Sequence, residues 1–376
     1  PMKNKRIFTN YLLLFLIVIL YLGIIFSSFL LYRNNISVLK DYSNYDGKAS
    51  KVILFIGDGM GENHIKVTEK YYDKEMSFSS LENGYVSTFS QAIFSPTDSA
   101  AAATALSTGK KVSNGEVAMH NKKSLETISE YAKAQGKGVG IVTTDSLTGA
   151  TPASFSAHAN NRGDTKNIIN TQLTSKVDLF LGAGLSTYQS YHQAFKKAGY
   201  NVCTTTQELN NLNNTSDKII GTFDHVSNKA DNDTINPTLQ TLTSFAVEYL
   251  ERNFPNGYFL MIEGAHIDKK SHSNNILKMM EYLDNFSDAV QIGLDYFSNQ
   301  TNYCLIVTAD HETGGLKYAD ETTEITDSLY RTTGHTSTYV KYFIKSSINI
   351  ELDKKIDNTD IYKLNKALIT KTSSSN

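Results

Sequence analysis

Short apolar runs alternate with longer helical patterns along most of this chain, and this alternation constrains the fold most strongly. The runs are rich in Val and Ile and apolar on both faces, as in strands buried in a parallel sheet. The intervening stretches are long enough for helices with an apolar stripe. The predicted strands are 52–56, 139–143, 179–181, 258–262, 305–308 and 339–344, and the predicted helices are 123–135, 237–253 and 274–298. This pattern predicts an α/β fold: a doubly wound, mostly parallel central sheet with helices on both faces and short insertions.

The amino-terminal segment predicts one transmembrane helix. Lys3, Lys5 and Arg6 precede an uncharged stretch over residues 8–31, and about 20 apolar residues suffice to cross a bilayer. A cleavable signal has a shorter apolar core, of about 7 to 15 residues, and ends in a small-x-small site. Residues 25–28 match such a site poorly. We therefore expect a single-pass anchor in the cell membrane with the remainder outside the cytoplasm, or a secreted protein if the segment is cleaved.

Changes in composition along the chain predict where its segments begin and end. We expect an anchor or uncleaved signal over 1–31, a polar linker over 32–50, a folded domain over 51–370 and a disordered tail over 371–376. The polar stretch 210–236 predicts a surface excursion. With 36 Lys+Arg against 38 Asp+Glu, the net charge of -2 argues against a nucleic-acid partner. Cys304 lies inside an apolar run, which predicts a buried core residue.

A single serine stands at the start of a helix of small residues. Ser99 follows Thr97 and Asp98 and precedes four alanines. Either Thr97 or Asp98 can cap the first turn, and the helix amino terminus then favours negative charge beside the serine hydroxyl. Ser99 is therefore a candidate nucleophile, although serines at helix starts are commonly caps alone.

Carboxylates and imidazoles follow the predicted strands, at the edge where an open α/β sheet binds its ligands. Asp and His together suit zinc, whereas carboxylate, hydroxyl and water suit magnesium. Each residue alone could be a turn residue or a hydrogen-bonded core histidine. Carboxylates packed together without a cation would also repel one another. The set comprises Asp58, Glu263, Asp268, His272, Asp310, His311 and His335.

The motifs around these residues resemble those of the alkaline phosphatase family. They occur in the family order over residues 51–345, and together they are far more specific than any one of them. The matching blocks are 57–61 (GDGMG), 97–100 (TDSA), 150–152 (ATP), 263–272 (EGAHIDKKSH), 308–312 (TADHE) and 334–336 (GHT). The resemblance implies that 51–370 is a catalytic domain of this family.

The resemblance also implies the site residues. Ser99 would be the nucleophile, and Arg162 would bind phosphate through its planar guanidinium. Two Zn²⁺ and one Mg²⁺ are implied as cofactors. The implied ligands are Asp268, His272 and His335 for the first zinc, Asp58, Asp310 and His311 for the second, and Asp58, Thr151 and Glu263 for the magnesium.

The implied reaction is the hydrolysis of phosphate monoesters through a phosphoserine, with zinc activating the serine hydroxyl and stabilising the leaving oxygen. Inorganic phosphate would be product and inhibitor, and relatives are often homodimers. The sequence differs from the family's pattern at Gly149, where many relatives have Asp or His. This glycine predicts a weaker and more hydrated magnesium site.

Other functions share this type of site. A phosphodiesterase, a phosphomutase or a sulfatase of the same superfamily could use the same metal ligands. A sulfatase would need a Cys or Ser maturation motif, and no cysteine lies near Ser99. An inactive, membrane-tethered binding protein would be expected to have lost ligands, whereas here the whole set is present.

Overall fold

The computed structural model describes residues 2–35, 40–92, 94–228, 234–298, 300–320 and 322–371. The chain divides into two units, Pro1–Asp41 and Tyr42–Asn376. The first unit contains helix α1 (Met2–Asn35), in which Tyr11–Ser28 has a mean hydropathy of 2.6. This helix is long and apolar enough to cross a membrane, a property that it shares with signal sequences.

The second unit alternates strands and helices. The strands are β1 (Lys51–Gly57), β2 (Glu82–Ser87), β3 (Met119–His120), β4 (Lys123–Ser124), β5 (Gly138–Ser146), β6 (Leu179–Ala183), β7 (Tyr200–Cys203), β8 (Lys218–Phe223), β9 (Tyr258–Gly264), β10 (Tyr303–Thr308), β11 (Glu312–Thr313), β12 (His335–Thr336), β13 (Val340–Ser346) and β14 (Lys355–Asp357). The α-helices are α2 (Glu62–Tyr72), α3 (Ser99–Thr108), α4 (Ile128–Ala134), α5 (Ala150–Ser156), α6 (Thr165–Thr174), α7 (Leu185–Tyr188), α8 (His192–Lys197), α9 (Thr206–Asn211), α10 (Leu239–Asn253), α11 (His266–His272), α12 (Ile276–Phe297) and α13 (Asn358–Ile369). Short 3-10 helices cover Ser43–Tyr45, Gln189–Tyr191 and Asp327–Leu329.

A mostly parallel central sheet organises this unit. Its ten strands lie in the order β14-β2-β13-β10-β1-β9-β5-β6-β8-β7. The strands from β10 to β7 in this order are parallel, and β1 lies between β9 and β10. Both strand faces are buried along β1 and β9, which explains why these strands appear in the sequence as continuous apolar runs. The predicted mostly parallel sheet with helices is therefore confirmed.

Three details differ from the sequence-based expectations. The predicted strand 339–344 forms as β13, but it is antiparallel to β10 and to β2. The described part of the connection from β10 to β13 contains no α-helix that could carry the chain back across the sheet. Strand β13 therefore begins at the edge of the sheet where β10 ends, and it runs in the opposite direction. The stretch 210–236 contains β8, which pairs on both sides, with β6 and with β7. The helix predicted over 123–135 begins only at Ile128, because Thr127 caps it and β4 precedes it.

Residues before β1 also belong to the folded unit. Tyr42 and Tyr45 are buried in the hydrophobic core, and Gly47 N–H donates to Ala367 O at 2.9 Å. The second part of the expected 32–50 linker is therefore packed against the unit that contains the sheet. Residues 36–39 of that linker and residues 372–376 of the expected tail lie outside the described residues.

Candidate active site

The candidate ligands lie at the carboxyl ends of neighbouring strands. Asp58 follows β1, Asp310 and His311 follow β10, and Glu263 lies near the end of β9. Strand β1 pairs with both β9 and β10, and the register places Ile56 opposite Glu263. Since these strands are parallel, their carboxyl ends meet at one edge of the sheet and bring the four side chains together.

Asp58, Asp310 and His311 form the first cluster. Oδ1 of Asp58 lies 3.4 Å from Nε2 of His311, and Oδ2 of Asp310 lies 3.2 Å from the same nitrogen. Ligand atoms of all three residues lie within 4.8 Å of one another, so one cation could bind the three. Those two carboxylate oxygens are buried and have no hydrogen-bond partner among the described residues. Such oxygens are costly to bury unless a cation binds them, so the residues fit a metal ion.

Asp268, His272 and His335 form a second cluster beside the first. On α11, Nε2 of His272 lies 3.3 Å from Oδ1 of Asp268. Nε2 of His335 lies 3.1 Å from Nε2 of His272 and 3.7 Å from Oδ1 of Asp268. The His311 ring stacks on the His335 ring with centroids 3.5 Å apart, and His311 also groups with Asp268 and His335 within 4.8 Å. The two clusters are therefore contiguous at His311.

Hydrogen bonds fix two of these imidazoles with Nε2 facing the clusters. Nδ1 of His335 lies 2.8 Å from the carbonyl oxygen of Thr97, and Nδ1 of His272 lies 2.5 Å from that of Thr333. A carbonyl oxygen only accepts, so Nδ1 carries the proton in both rings. This tautomer leaves Nε2 as the ligand atom, as in metal sites whose histidines donate to outer partners.

Thr313 holds the third imidazole. Its hydroxyl donates to Oδ1 of Asp268 at 2.5 Å and lies 3.2 Å from Nδ1 of His311. Because the hydroxyl proton is engaged with Asp268, the hydroxyl accepts from Nδ1–H of His311, and Nε2 again faces the first cluster. From the sequence, Thr97 is a candidate helix cap only, and Thr313 and Thr333 have no predicted role. Only the position of Thr313 directly after the TADHE block, two residues beyond His311, could have indicated its role.

Electrostatics in the first cluster favour a bound cation. Burial raises the pKa of Asp58 well above its usual range, and Asp310, Asp268 and Glu263 raise it further through like-charge repulsion. Burial, with the charge of Asp268, raises the pKa of Asp310 to about 6. Burial lowers the pKa of His311 to about 4, so this imidazole is neutral at neutral pH and can donate its lone pair. A divalent cation would offset the repulsion among these carboxylates.

In the second cluster, a proton shared by His272 and Asp268 occupies the position where a metal ion could bind. The hydrogen bond to Asp268 raises the pKa of His272 to about 8. Burial raises the pKa of Asp268, but hydrogen bonds from His272 and Thr313 outweigh it, so the pKa falls below its usual range. In the absence of metal, His272 and Asp268 therefore form an imidazolium–carboxylate pair. A metal ion would compete with that proton for the same Nε2 and Oδ1 atoms.

Ser99 lies against the first cluster. It is the first residue of α3 and is 4% exposed, with Oγ 3.2 Å from Nε2 of His311. Asp98 is the helix cap, because its side chain accepts from the backbone N–H of Ala101. The cap and the candidate nucleophile are therefore different residues, and the Ser99 hydroxyl faces the candidate metal ligands at a helix amino terminus.

Arg162 is tied to the same helix start. One of its guanidinium nitrogens, Nη1, lies 3.2 Å from Oδ2 of Asp98, which also accepts from the backbone N–H of Gly115 at 3.1 Å. The Arg162 side chain is 42% exposed. Its charge adds to the effect of burial on the pKa of His311, and it opposes in small part the rise in the pKa of His272 that Asp268 causes. Asp98 therefore holds a solvent-accessible guanidinium on the Ser99 side of the clusters.

Thr151 and Glu263 form a third group of oxygen donors. Glu263 is buried and accepts a short hydrogen bond from the Thr143 hydroxyl. Burial, followed by the charge of Asp145, raises its pKa to about 8. The Thr151 hydroxyl is buried at the start of α5 and lies close enough to Glu263 to lower its pKa, but it makes no hydrogen bond of good geometry among the residues that the structure describes. A hydroxyl and a carboxylate of this kind suit a hard cation such as Mg²⁺.

Comparisons with known proteins agree on one family. The sequence profile described as alkaline phosphatase matches residues 49–374. Alkaline phosphatase 4 and alkaline phosphatase 3 of Bacillus subtilis (strain 168) are each 32% identical, over 70% and 73% of this chain. The chain spans 61% and 63% of the lengths of these two relatives.

Solved structures give the same result. The cold-active alkaline phosphatase from the psychrophile Shewanella sp. superimposes with a TM-score of 0.75 at 26% identity, covering 85% of this chain and 100% of that one. The alkaline phosphatase from the Antarctic bacterium TAB5 gives 0.73 at 27% identity, covering 86% and 98%. Two variants of the TAB5 enzyme were solved with Mg bound in the M3 site. Because the family profile covers most of the sequence, this chain belongs to the alkaline phosphatase family.

Proposed function

We propose that this chain is a metal-dependent phosphatase that hydrolyses phosphate monoesters through a phosphoserine at Ser99. One observation carries the proposal: the Ser99 hydroxyl lies 3.2 Å from His311, at a helix amino terminus and beside two contiguous clusters of metal-ligating side chains. The family membership supports the same reaction. Inorganic phosphate would be both product and inhibitor.

In this proposal the two clusters bind zinc. Asp58, Asp310 and His311 would hold the ion nearest Ser99, and the ligands of the other ion would be Asp268, His272 and His335. When bound, the two ions supply Lewis acidity that lowers the pKa of the serine hydroxyl and stabilises the leaving oxygen. Magnesium would bind beside Asp58, Thr151 and Glu263, where Gly149 offers no side-chain ligand.

The chain's own residues would position the substrate and the nucleophile. The Ser99 oxygen attacks phosphorus, the ester oxygen departs as an alcohol, and water then hydrolyses the phosphoserine to release phosphate. Backbone N–H groups at the start of α3 and the Arg162 guanidinium would bind the non-bridging phosphate oxygens, where negative charge is concentrated. Asp98 would act as a positioning residue, since it caps α3 and also holds Arg162.

Substrate preference tests this proposal against a phosphodiesterase. We expect kcat/KM for a chromogenic phosphate monoester to exceed that for the matched diester, because a monoester offers one more unesterified oxygen to Arg162. Arg162→Ala should lower kcat/KM for the monoester by about 10- to 100-fold, the worth of hydrogen bonds to a charged group, and should lower the diester value less. Arg252→Ala, at an arginine on α10 outside the site, is the control. A wild-type preference for the diester would contradict the proposal.

We also propose that α1 anchors the folded unit to the cell membrane, outside the cytoplasm. The apolar stretch Tyr11–Ser28 and the basic residues that precede it support this orientation. The full chain should sediment with membranes and be released by detergent but not by high salt, whereas a variant lacking residues 2–35 should stay in the supernatant. A mature protein that starts near Ser28 and remains soluble would show cleavage and contradict the anchor.

A further inference from the structure

Gly149 leaves a space beside the third group of donors, and another side chain occupies it. Gly149 is the N-cap of α5, and its φ of -54° is accessible to any residue. A Cβ built on Gly149 would lie only 2.9 Å from Oδ2 of Asp145 and 2.9 Å from the carbonyl oxygen of Ser146. Crowding by neighbouring atoms, and not backbone strain, therefore disfavours a side chain at position 149.

Asp145 is directly connected to the third group. Its backbone N–H donates to the Thr143 hydroxyl at 2.9 Å, and the same hydroxyl donates to Glu263. Thr143 and Glu263 are cross-strand partners in β5 and β9, so the sheet fixes this connection. The charge of Asp145 is also the second-largest cause of the raised pKa of Glu263, after burial.

The two oxygens of Asp145 have different surroundings. Oδ1 accepts from Nζ of Lys269 at 2.5 Å, whereas Oδ2 faces the space beside Gly149. The Asp145 side chain is 30% exposed, so solvent and a hydrated ion can reach it. The buried hydroxyl of Thr151, two residues beyond Gly149, lies beside Glu263 but makes no hydrogen bond of good geometry, which is an independent sign that a cation binds here.

We propose that Asp145 supplies the magnesium site with the carboxylate that Gly149 cannot provide. The ligand has moved from the helix N-cap to the end of β5, and Gly149 is the residue that makes room for it. Asp145, Thr151 and Glu263 then offer oxygen atoms only, the ligands that Mg²⁺ prefers, either directly or through its water molecules. The inference rests on the proposed function and predicts tighter magnesium binding than Gly149 alone implies.

Calorimetric titration of Mg²⁺ into the zinc-loaded full chain tests this assignment. We expect Asp145→Asn to weaken magnesium binding by about 10- to 100-fold, as the loss of a ligand or ligand-orienting carboxylate does. Asp284→Asn is the matched control, since Asp284 also pairs with a lysine, Lys74, at 2.6 Å, and its magnesium affinity should equal that of the wild type. Equal affinity for wild type and Asp145→Asn would overturn the assignment.

A second variant separates ligand loss from misfolding. Asp145→Glu keeps a carboxylate at this position, so it should bind magnesium more tightly than Asp145→Asn. Equally weakened affinities for Asp145→Glu and Asp145→Asn would also overturn the assignment. Both experiments measure magnesium binding. If they contradict the assignment of Asp145 while the wild type hydrolyses monoesters, the proposed function stands. Lack of hydrolysis by the wild type would instead refute the function.

Discussion

Ser99→Ala is expected to lower kcat for phosphate monoesters by on the order of 10³-fold or more, because it removes the proposed nucleophile. The substitution deletes one oxygen from a buried position next to His311 and leaves the Asp98 cap in place. Bound metal and the folded structure should therefore be retained. Steady-state kinetics together with metal content by mass spectrometry would measure both.

Ser107→Ala is the matched control for this variant. Ser107 is also a buried serine of α3, but its hydroxyl donates to the carbonyl oxygen of Ser154 at 2.7 Å and is not part of either cluster. This variant should lose about 1 kcal/mol of stability with its hydrogen bond and keep its kcat. Turnover of Ser99→Ala within tenfold of the wild type would refute the assignment of the nucleophile.

Removing metal with a chelator is expected to have an effect of similar size, on the order of 10³-fold or more, since metal ions would stabilise both the attacking and the leaving oxygen. Adding Zn²⁺ and Mg²⁺ together should restore activity. Buried Asp58 and Asp310 would be left without a counter-charge, so the metal-free chain should also unfold at a lower temperature.

Acid should release the bound metal ions, as the chelator does. A metal binds these carboxylates only in their ionised form, and the pKa of Asp310 is raised to about 6, with that of Asp58 also raised. Protons therefore compete more strongly as the pH falls below about 6, and metal affinity should weaken progressively from there. Measuring retained zinc after desalting at a series of pH values follows this loss.

Full activity after chelation, with zinc absent, would contradict a metal-dependent reaction.

Periodicity and strand-end chemistry predict the centre of this fold from sequence. The apolar runs that became β1, β5, β6, β9 and β10 are buried on both faces, so burial leaves a direct signal in their composition. Strand β8 was missed because it lies in a stretch dominated by Asn, Asp, Ser and Thr. Its role follows from pairing with β6 and β7, which is a long-range property.

The sequence is enough to predict which residues form the site, but not how their side chains are oriented. Placing Asp58, Asp310 and His311 at one edge needs only the parallel strand rule. The orientations of His335 and His272 depend instead on Thr97 and Thr333, which lie on other segments. His311 is oriented by the nearby Thr313, whose hydroxyl is itself fixed by Asp268 on α11. Asp145 left no signal, because its importance depends on the space beside Gly149, which only the packing of β5 against α5 reveals.

The proposed reaction is tested most directly by trapping the phosphoserine at Ser99. The zinc-loaded full chain would be incubated with inorganic phosphate or a monoester, quenched in acid and digested, and the phosphorylated peptide sequenced by mass spectrometry. We expect one phosphoryl group on Ser99, and none in the Ser99→Ala variant. Rapid turnover of the monoester with phosphate on another residue, or with no phosphorylated peptide in any quenched sample, would contradict the proposed reaction.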